Sequence, residues 1–330
     1  MPPHSKPTTH LILRVLALVA IAVLVFLIIY PHVRTNQQPE TQPAEAQQPS
    51  PVKPAETQSS DTLTLLVVGD MQFDRYIRKM SERHGAAQPF SCVASLLQSV
   101  DMVVGNLEGP ITEYPSVSVG TVMGSPNNYR FTFPTTTAAL LKEHNVDIVN
   151  IGNNHIGDFG AEGVASTKQY LTESGVAYFG GQAGDGTVHR VSEGDIQLSF
   201  VNYNQFGGDA PEDVARVIAR ERAAGQTVLV YTHWGEEYVA PTERVRVIAQ
   251  SFVDAGAAIV IGSHPHVVQE SAMVGDIPVY YSLGNFIFDQ YWDDEVSTGL
   301  GLLLTVTPDG ISVAEQLFTM HLDGRTCAEG

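Results

Sequence analysis

Residues 62–70 read TLTLLVVGD, a short β-rich apolar run that closes on a Gly turn with an acid at its end. Such a run reads as a buried strand. DMVVGN (101–106), VDIVNIGNN (146–154), IQLSFVNYN (196–204), TVLVYTH (227–233), AAIVIGSH (257–264) and IPVYYSLGN (277–285) repeat its form. Helical spacing fills several gaps between them: TTTAALLKEHN (135–145), AEGVASTKQYLTESG (161–175), APEDVARVIARERAAG (210–225) and PTERVRVIAQSFVDAG (241–256). The last three close on Gly, the usual helix stop. TGLGLLLTVTPDGISVAEQLF (298–318) reads as a hairpin turning at Pro308-Asp309-Gly310. The expected fold class is α/β with a β-rich ending: a layered sheet core flanked by helices. There is no internal repeat.

What terminates the strands carries the chemistry. Polar groups at the carboxyl ends of sheet strands face the ligand crevice of open α/β folds. Here the ends carry Asp70, Asn106 with Glu108, Asn154 with His155, His233, and His264 with His266. Each has an ordinary structural reading when taken alone. Asp70 suits the N-cap of a helix near 74–83, Glu108 a solvated carboxylate, and His233 a core imidazole satisfied by backbone. Asp158 reads as the group that orients an imidazole or caps the next helix. Trp234, Phe286 and Phe288 read as packing. Five successive ends with only oxygen and imidazole donors, and no Cys, point jointly to a cation of the Zn, Mn, Fe or Co type. A pair of ions bridged by a carboxylate would draw the ends together.

Composition sets the limits. The 330 residues are 43% hydrophobic and 16% charged, enough to fill a globular core, which excludes wholesale disorder and a collagen. Cys92 and Cys327 are the two cysteines, so a disulfide-dense scaffold and a thiolate zinc cage are excluded. Residues 61–330 hold 14 basic and 33 acidic side chains, a net charge of −19. So acidic a body repels phosphates and does not bind nucleic acid through a broad basic face.

Residues 11–30, LILRVLALVAIAVLVFLIIY, are apolar apart from Arg14 and long enough in helix to span the roughly 30 Å of a bilayer core. Lys6 and Arg14 keep the N-terminus cytoplasmic by the positive-inside rule. A cleaved signal peptide is the rival reading, but no small-x-small site follows Tyr30 in PHVRTNQ. Residues 31–60 hold six Pro and six Gln, the composition of a solvated tether. The expected organisation is therefore a cytoplasmic tip and transmembrane anchor (1–34), a Pro/Gln-rich linker (35–60) and one body (61–330). Such a single-pass protein of the cell membrane has its C-terminal domain outside and contacts lipid through its N-terminal helix. In that compartment Cys92 and Cys327 either pair or stay as two buried thiols.

The ordered series GDMQFDR, GNLEGPIT, GNNHIGDFGAEG, THWGEEY, GSHPHVVQ and YSLGNFIFD resembles the CapA or PgsA family of poly-γ-glutamate capsule synthesis proteins, across about residues 62–320. That family is similar to calcineurin-like metallophosphatases, so the resemblance implies a two-sheet β-sandwich flanked by helices, a four-layer fold preceded by one transmembrane helix. It implies that Asp70 holds a first divalent ion, that Glu108 bridges two, that Asn154, His233 and His264 hold the second, and that His266 returns to the first. His155 would act as the acid, and Arg75 or Arg130 would take developing negative charge. Two positions depart from the phosphatase pattern: Gln72 stands where a His is usual, and Asn106 where an Asp is usual. The first ion thereby loses an imidazole, for which Asp74 is a candidate replacement. Two function classes follow. One is a non-catalytic component of a membrane complex for polymer synthesis and export, gripping poly-γ-glutamate or another anionic polymer. The other is a metal-dependent phosphoesterase or γ-glutamyl hydrolase.

Overall fold

The computed structural model describes residues 62–182 and 188–329. Its organising element is strand β1 (Leu63–Met71), whose side chains alternate between two apolar layers. Leu63, Leu65 and Val67 enter one core, whereas Leu66 and Val68 enter another. A strand buried on both faces needs a cover on each side, and the chain supplies a second sheet on one and helices on the other.

β1 lies inside an eight-stranded sheet. It pairs parallel with β2 (Met102–Leu107), which continues through β3 (Val146–Asn150) to β4 (Ala177–Phe179). On its other side β1 pairs antiparallel with β12 (Thr298–Thr307), followed by β13 (Gly310–Met320) and β14 (Thr326–Ala328). The six-stranded second sheet runs in the order β5 (His189–Glu193), β6 (Ile196–Asn204), β7 (Thr227–His233), β8 (Ile259–Ser263), β10 (Ile277–Tyr280) and β9 (Ser271–Val274). Its central pairs β6–β7, β7–β8 and β8–β10 are parallel.

Three apolar clusters show the layering. Leu65, Val67 and Val104 of the first sheet meet Leu198, Phe200, Leu229 and Ile261 of the second. The outer face of the first sheet is covered by α1 (Arg75–His84), α2 (Ala94–Leu97), α3 (Thr137–Glu143) and α4 (Gly160–Ser174), through Ile77, Leu97, Leu141 and Leu171. The outer face of the second is covered by α5 (Pro211–Ala223) and α6 (Glu243–Asp254), through Ile218, Ala249 and Phe252. The result is mixed α/β, with two sheets between two helical layers.

Three expectations need amendment. IPVYYSLGN is not one strand: β10 stops at Tyr280, and after Gly284 (φ 66°) residues Asn285–Ile287 form β11 in the other sheet, parallel to β1. Asp70 is not a helix cap, because α1 begins only at Arg75, with Asp74 before it. Asp74 does not replace the lost imidazole, since its carboxylate accepts from Arg78 Nε at 3.0 Å and Thr132 N at 2.9 Å. Cys92 and Cys327 are joined in a disulfide, with Cα atoms 4.9 Å apart. Among the described residues no helix is long and apolar enough to cross a membrane; the anchor and linker expected over 1–60 lie outside them.

Two predictions follow from the packing. A Cβ at Gly262 would lie 1.9 Å from the Tyr281 carbonyl oxygen, so Gly262→Ala costs about 1–3 kcal/mol or more, read as a lower urea midpoint. The buried Glu221 carboxylate of α5 accepts from Arg190 Nε (2.6 Å) and Nη2 (2.7 Å) on edge strand β5. Those bonds hold its pKa below the ordinary 4.5, so their stabilisation is complete above that value and is lost as pH falls through the lowered one. Glu221→Gln therefore costs about 1–3 kcal/mol at neutral pH. The gap from the parent protein narrows in acid, as measured by urea melts across pH.

Candidate metal centre

Register brings the site together from both sheets. Asp70 stands opposite Asn106 on β2 and Asn285 on β11, and Asn106 opposite Asn150 on β3. In the second sheet Asn204 stands opposite His233, and His233 opposite Ser263. Every one of these is buried. Two polar rows thus end the two sheets at one crevice, because parallel strands present all their carboxyl ends on the same edge.

The structure brings Asp70, Glu108, Asn154, His233, His264 and His266 to this crevice. Glu108 is fully buried and has no hydrogen-bond partner on either carboxylate oxygen. His233 Nε2 lies 3.9 Å from Glu108 Oε1 and 2.8 Å from Asn154 Oδ1. His264 Nδ1 lies 3.2 Å from the same His233 nitrogen. His266 places Nδ1 at 3.4 Å from Asp70 Oδ2 and Nε2 at 3.7 Å from Glu108 Oε1. Donor atoms of Glu108, His233 and His264 all fall within 4.8 Å of one another, and so do those of Asp70, Glu108 and His266. The two triads share Glu108. His264 (φ 97°) and His266 (φ 59°) adopt left-handed backbone, which side-chain-bearing residues avoid and which recurs at functional sites.

Electrostatics leave two of the imidazoles ready for a cation and favour protons on Glu108 and His266, which a cation would have to displace. Burial, then the Asp70 carboxylate, push the Glu108 carboxyl well above its usual range. Burial and the neighbouring imidazoles push His233 well below its own, and His264 down to about 3. Both are therefore neutral at physiological pH, the form that offers a lone pair. For His266 burial opposes the charge, but Glu108 and Asp70 raise it to about 9.

Supporting side chains fix these ligands. Asn106 donates to Asp70 Oδ1 at 2.8 Å and accepts from Asn150 (2.9 Å) and Asn153 (3.1 Å), so it braces the first ligand. Asn153 also accepts from the backbone of His155 and Ile156, which pins the loop and leaves Asn154 for His233. Ser263 Oγ contacts His233 Nδ1 at 2.9 Å, and Asn285 Oδ1 contacts His266 Nδ1 at 2.9 Å. Imidazole ligands are commonly held in this way through their second nitrogen. Sequence reasoning missed Asn285, Asn204, Ser263 and Glu237. The signal for Asn285 and Glu237 was their place inside the YSLGN and THWGEEY runs. Trp234, Phe286 and Phe288 are buried, and Phe288 packs 4.6 Å from the His266 ring.

His155 and Asp158 form a pair beside the ligands. His155 Nδ1 lies 2.9 Å from Asp158 Oδ2, which also accepts from Phe131 N at 2.7 Å. Asp158 thus orients the imidazole; the residue at the N-cap of α4 is Phe159. With Nδ1–H donating to a carboxylate, Nε2 is the ring nitrogen left for proton transfer. Arg75 pairs with Asp289, and its guanidinium carbon stands 4.9 Å from the Phe131 ring centroid and 5.3 Å from that of Phe288. Its Nε is buried without a partner. Arg130 is turned to the Asp158 carbonyl and the Phe159 ring.

Comparison with known proteins adds the lineage. The family model described as bacterial capsule synthesis protein PGA_cap matches residues 64–290. The PGA biosynthesis protein CapA of Bacillus subtilis (strain 168) is 29% identical over 256 residues, covering 72% of this chain and 66% of that protein. The capsule biosynthesis protein CapA of Bacillus anthracis is 29% identical over 263 residues, covering 73% and 63%. The chain thus spans just under two thirds of the length of these relatives. A solved purple acid phosphatase from yellow lupin aligns over 82% of this chain and 54% of its own, at 11% identity and a TM-score of 0.38, too loose a superposition to carry an argument. Every ligand candidate from Asp70 to His266 falls inside the matched span, and the chain belongs to the bacterial capsule synthesis protein PGA_cap family.

Proposed function

We propose that this chain takes part in building or exporting an anionic capsule polymer, poly-γ-glutamate on the pattern of its CapA relatives, through a divalent-metal centre of metallophosphatase type. Asp70, Glu108 and His266 hold one ion, and Glu108, Asn154, His233 and His264 the other. The observation that carries this reading is Glu108: a fully buried carboxylate, both oxygens without a hydrogen bond, shared by two triads. An ionised carboxylate so placed costs several kcal/mol unless a cation or a proton meets it. The donor set, oxygen and neutral imidazole without thiolate, suits Mn, Zn or Fe.

A divalent ion, when bound there, supplies Lewis-acid polarisation of a phosphoryl or acyl oxygen. The chain's own residues do the rest. Arg75, paired with Asp289, stands near enough to the crevice to act on Glu108 and would meet an anionic group only by sharing that charge. Asp158 keeps His155 oriented for proton transfer at Nε2. We place this body outside the cell membrane on a single N-terminal anchor, the arrangement that residues 11–60 favour by composition, within a membrane synthesis or export complex.

A second reading, a metal-dependent hydrolase acting on a phosphoester or γ-glutamyl bond, is favoured by the His155–Asp158 contact at 2.9 Å. His155→Ala separates the two with metal content intact. Polymer output stays near the parent level if the centre only grips carboxylates. It falls by about 10²–10⁴-fold if His155 moves a proton in a chemical step.

Elemental analysis of the purified full-length chain tests the centre itself. One to two equivalents of Mn, Zn or Fe are expected, and a chain that takes up none of them ends the proposal. Glu108→Gln is expected to weaken metal binding at least about tenfold. Its metal-free melting temperature should be no lower than the parent's, because a buried carboxylate without hydrogen bonds has been removed.

A further inference from the structure

A third set of donors lies at the mouth of the crevice. The carboxylate of Glu237 falls within 4.8 Å of ring nitrogens of both His264 and His266. Glu237 itself is exposed, but both imidazoles are buried, and His266 Nε2 is 3.7 Å from the Glu108 carboxylate, whose oxygens have no hydrogen bond. Backbone bonds hold the turn that carries it against the histidine segment. Trp234 N donates to Ser263 O at 3.2 Å and Tyr238 N donates to Pro265 O at 2.9 Å, so residues on both sides of Glu237 are tied to the run 263–266. The Tyr238 hydroxyl accepts from Gln290 at 2.9 Å, which fixes the far end of the turn.

The Asp70–Glu108–His266 triad offers three donor residues where a divalent ion takes four or more. Gln72, at the position where the phosphatase pattern has a His, is buried with neither amide atom hydrogen-bonded. A neutral amide is a weaker ligand for such an ion than a carboxylate, because it brings no charge. Building on the metal centre proposed above, we infer that Glu237 is a further ligand of that centre, closing it from the solvent side over His264 and His266. It adds a carboxylate to a centre that lacks the imidazole. The centre then holds Asp70, Glu108 and Glu237 against its cations, a more anionic and harder set than a histidine at position 72 would give.

The test is calorimetric titration of the metal-stripped full-length chain with Mn2+ and, separately, Zn2+. It compares the parent with Glu237→Gln, Glu236→Gln and Gln72→Leu. Glu237→Gln is expected to raise the Kd of the more weakly held ion at least about tenfold. The metal-free melting temperature should move by no more than about 2 °C, since the side chain is exposed. Glu236→Gln removes the same charge one residue away and is expected to leave binding nearly unchanged. Binding by Glu237→Gln within about twofold of the parent overturns the inference, and so does equal weakening by Glu236→Gln, which marks a long-range field. Weakening by Gln72→Leu alone overturns it as well, by assigning the position to the amide. A parent that binds neither ion removes the whole centre, an outcome distinct from a parent that binds and a Glu237→Gln that binds equally well.

Discussion

Charge without solvent is the constraint on which this molecule turns. Asp70 and Glu108 are fully buried, and His233, His264 and His266 stand beside them with almost no access to water. Asp70 is braced by the Asn106 amide and the His264 backbone N–H, but neither carboxylate oxygen of Glu108 has a hydrogen bond. Removing a carboxylate from water without compensation costs more than most single interactions in a folded protein contribute. Evolution tolerates such a group where something else arrives to meet it, and the raised pKa of Glu108 reports the same tension from the proton's side.

The two-sheet architecture is what makes the crowding achievable. Asp70 and Glu108 come from the first sheet and the turn after its strand β2, and His233 closes β7 of the second. Tyr231, two residues before His233, reaches across the apolar layer to donate to the Val68 carbonyl at 2.6 Å, close behind the ligands. That bond ties the sheets together where their separation sets the ligand distances. The left-handed histidines, the amide braces and the close-packed glycines around 262 and 284 all serve the same end.

Much of this was legible in the residues. Alternating cores show as unbroken apolar runs, and the polar groups that close them mark the crevice because parallel strands share one terminal edge. Short strands were harder. β4, β5, β9 and β14 hold three to five residues, too few for a periodic signal, and their pairing is decided by neighbours distant in sequence. The split of IPVYYSLGN is not legible in the sequence, because a change of sheet leaves no trace in hydrophobicity. Glu237 looked like one more acid in an acidic body. Only the place of its carboxylate beside the His264 and His266 rings distinguishes it from its neighbour Glu236. Asp70 was ambiguous between cap and ligand because either use needs the same side chain at the end of a strand, and the start of α1 resolves it.

The bridge between Cys92 and Cys327 closes a covalent ring between residues 235 positions apart. Glu108, Asn154, His233, His264 and His266 all sit on that ring, and only Asp70 lies on the arm outside it. A single proteolytic cut in any loop within the ring would leave both pieces still joined, held by sulfur as well as by the interlocked sheets. In surroundings rich in proteases and free of reductants, a nicked molecule could keep its donors in place and survive as a functioning unit.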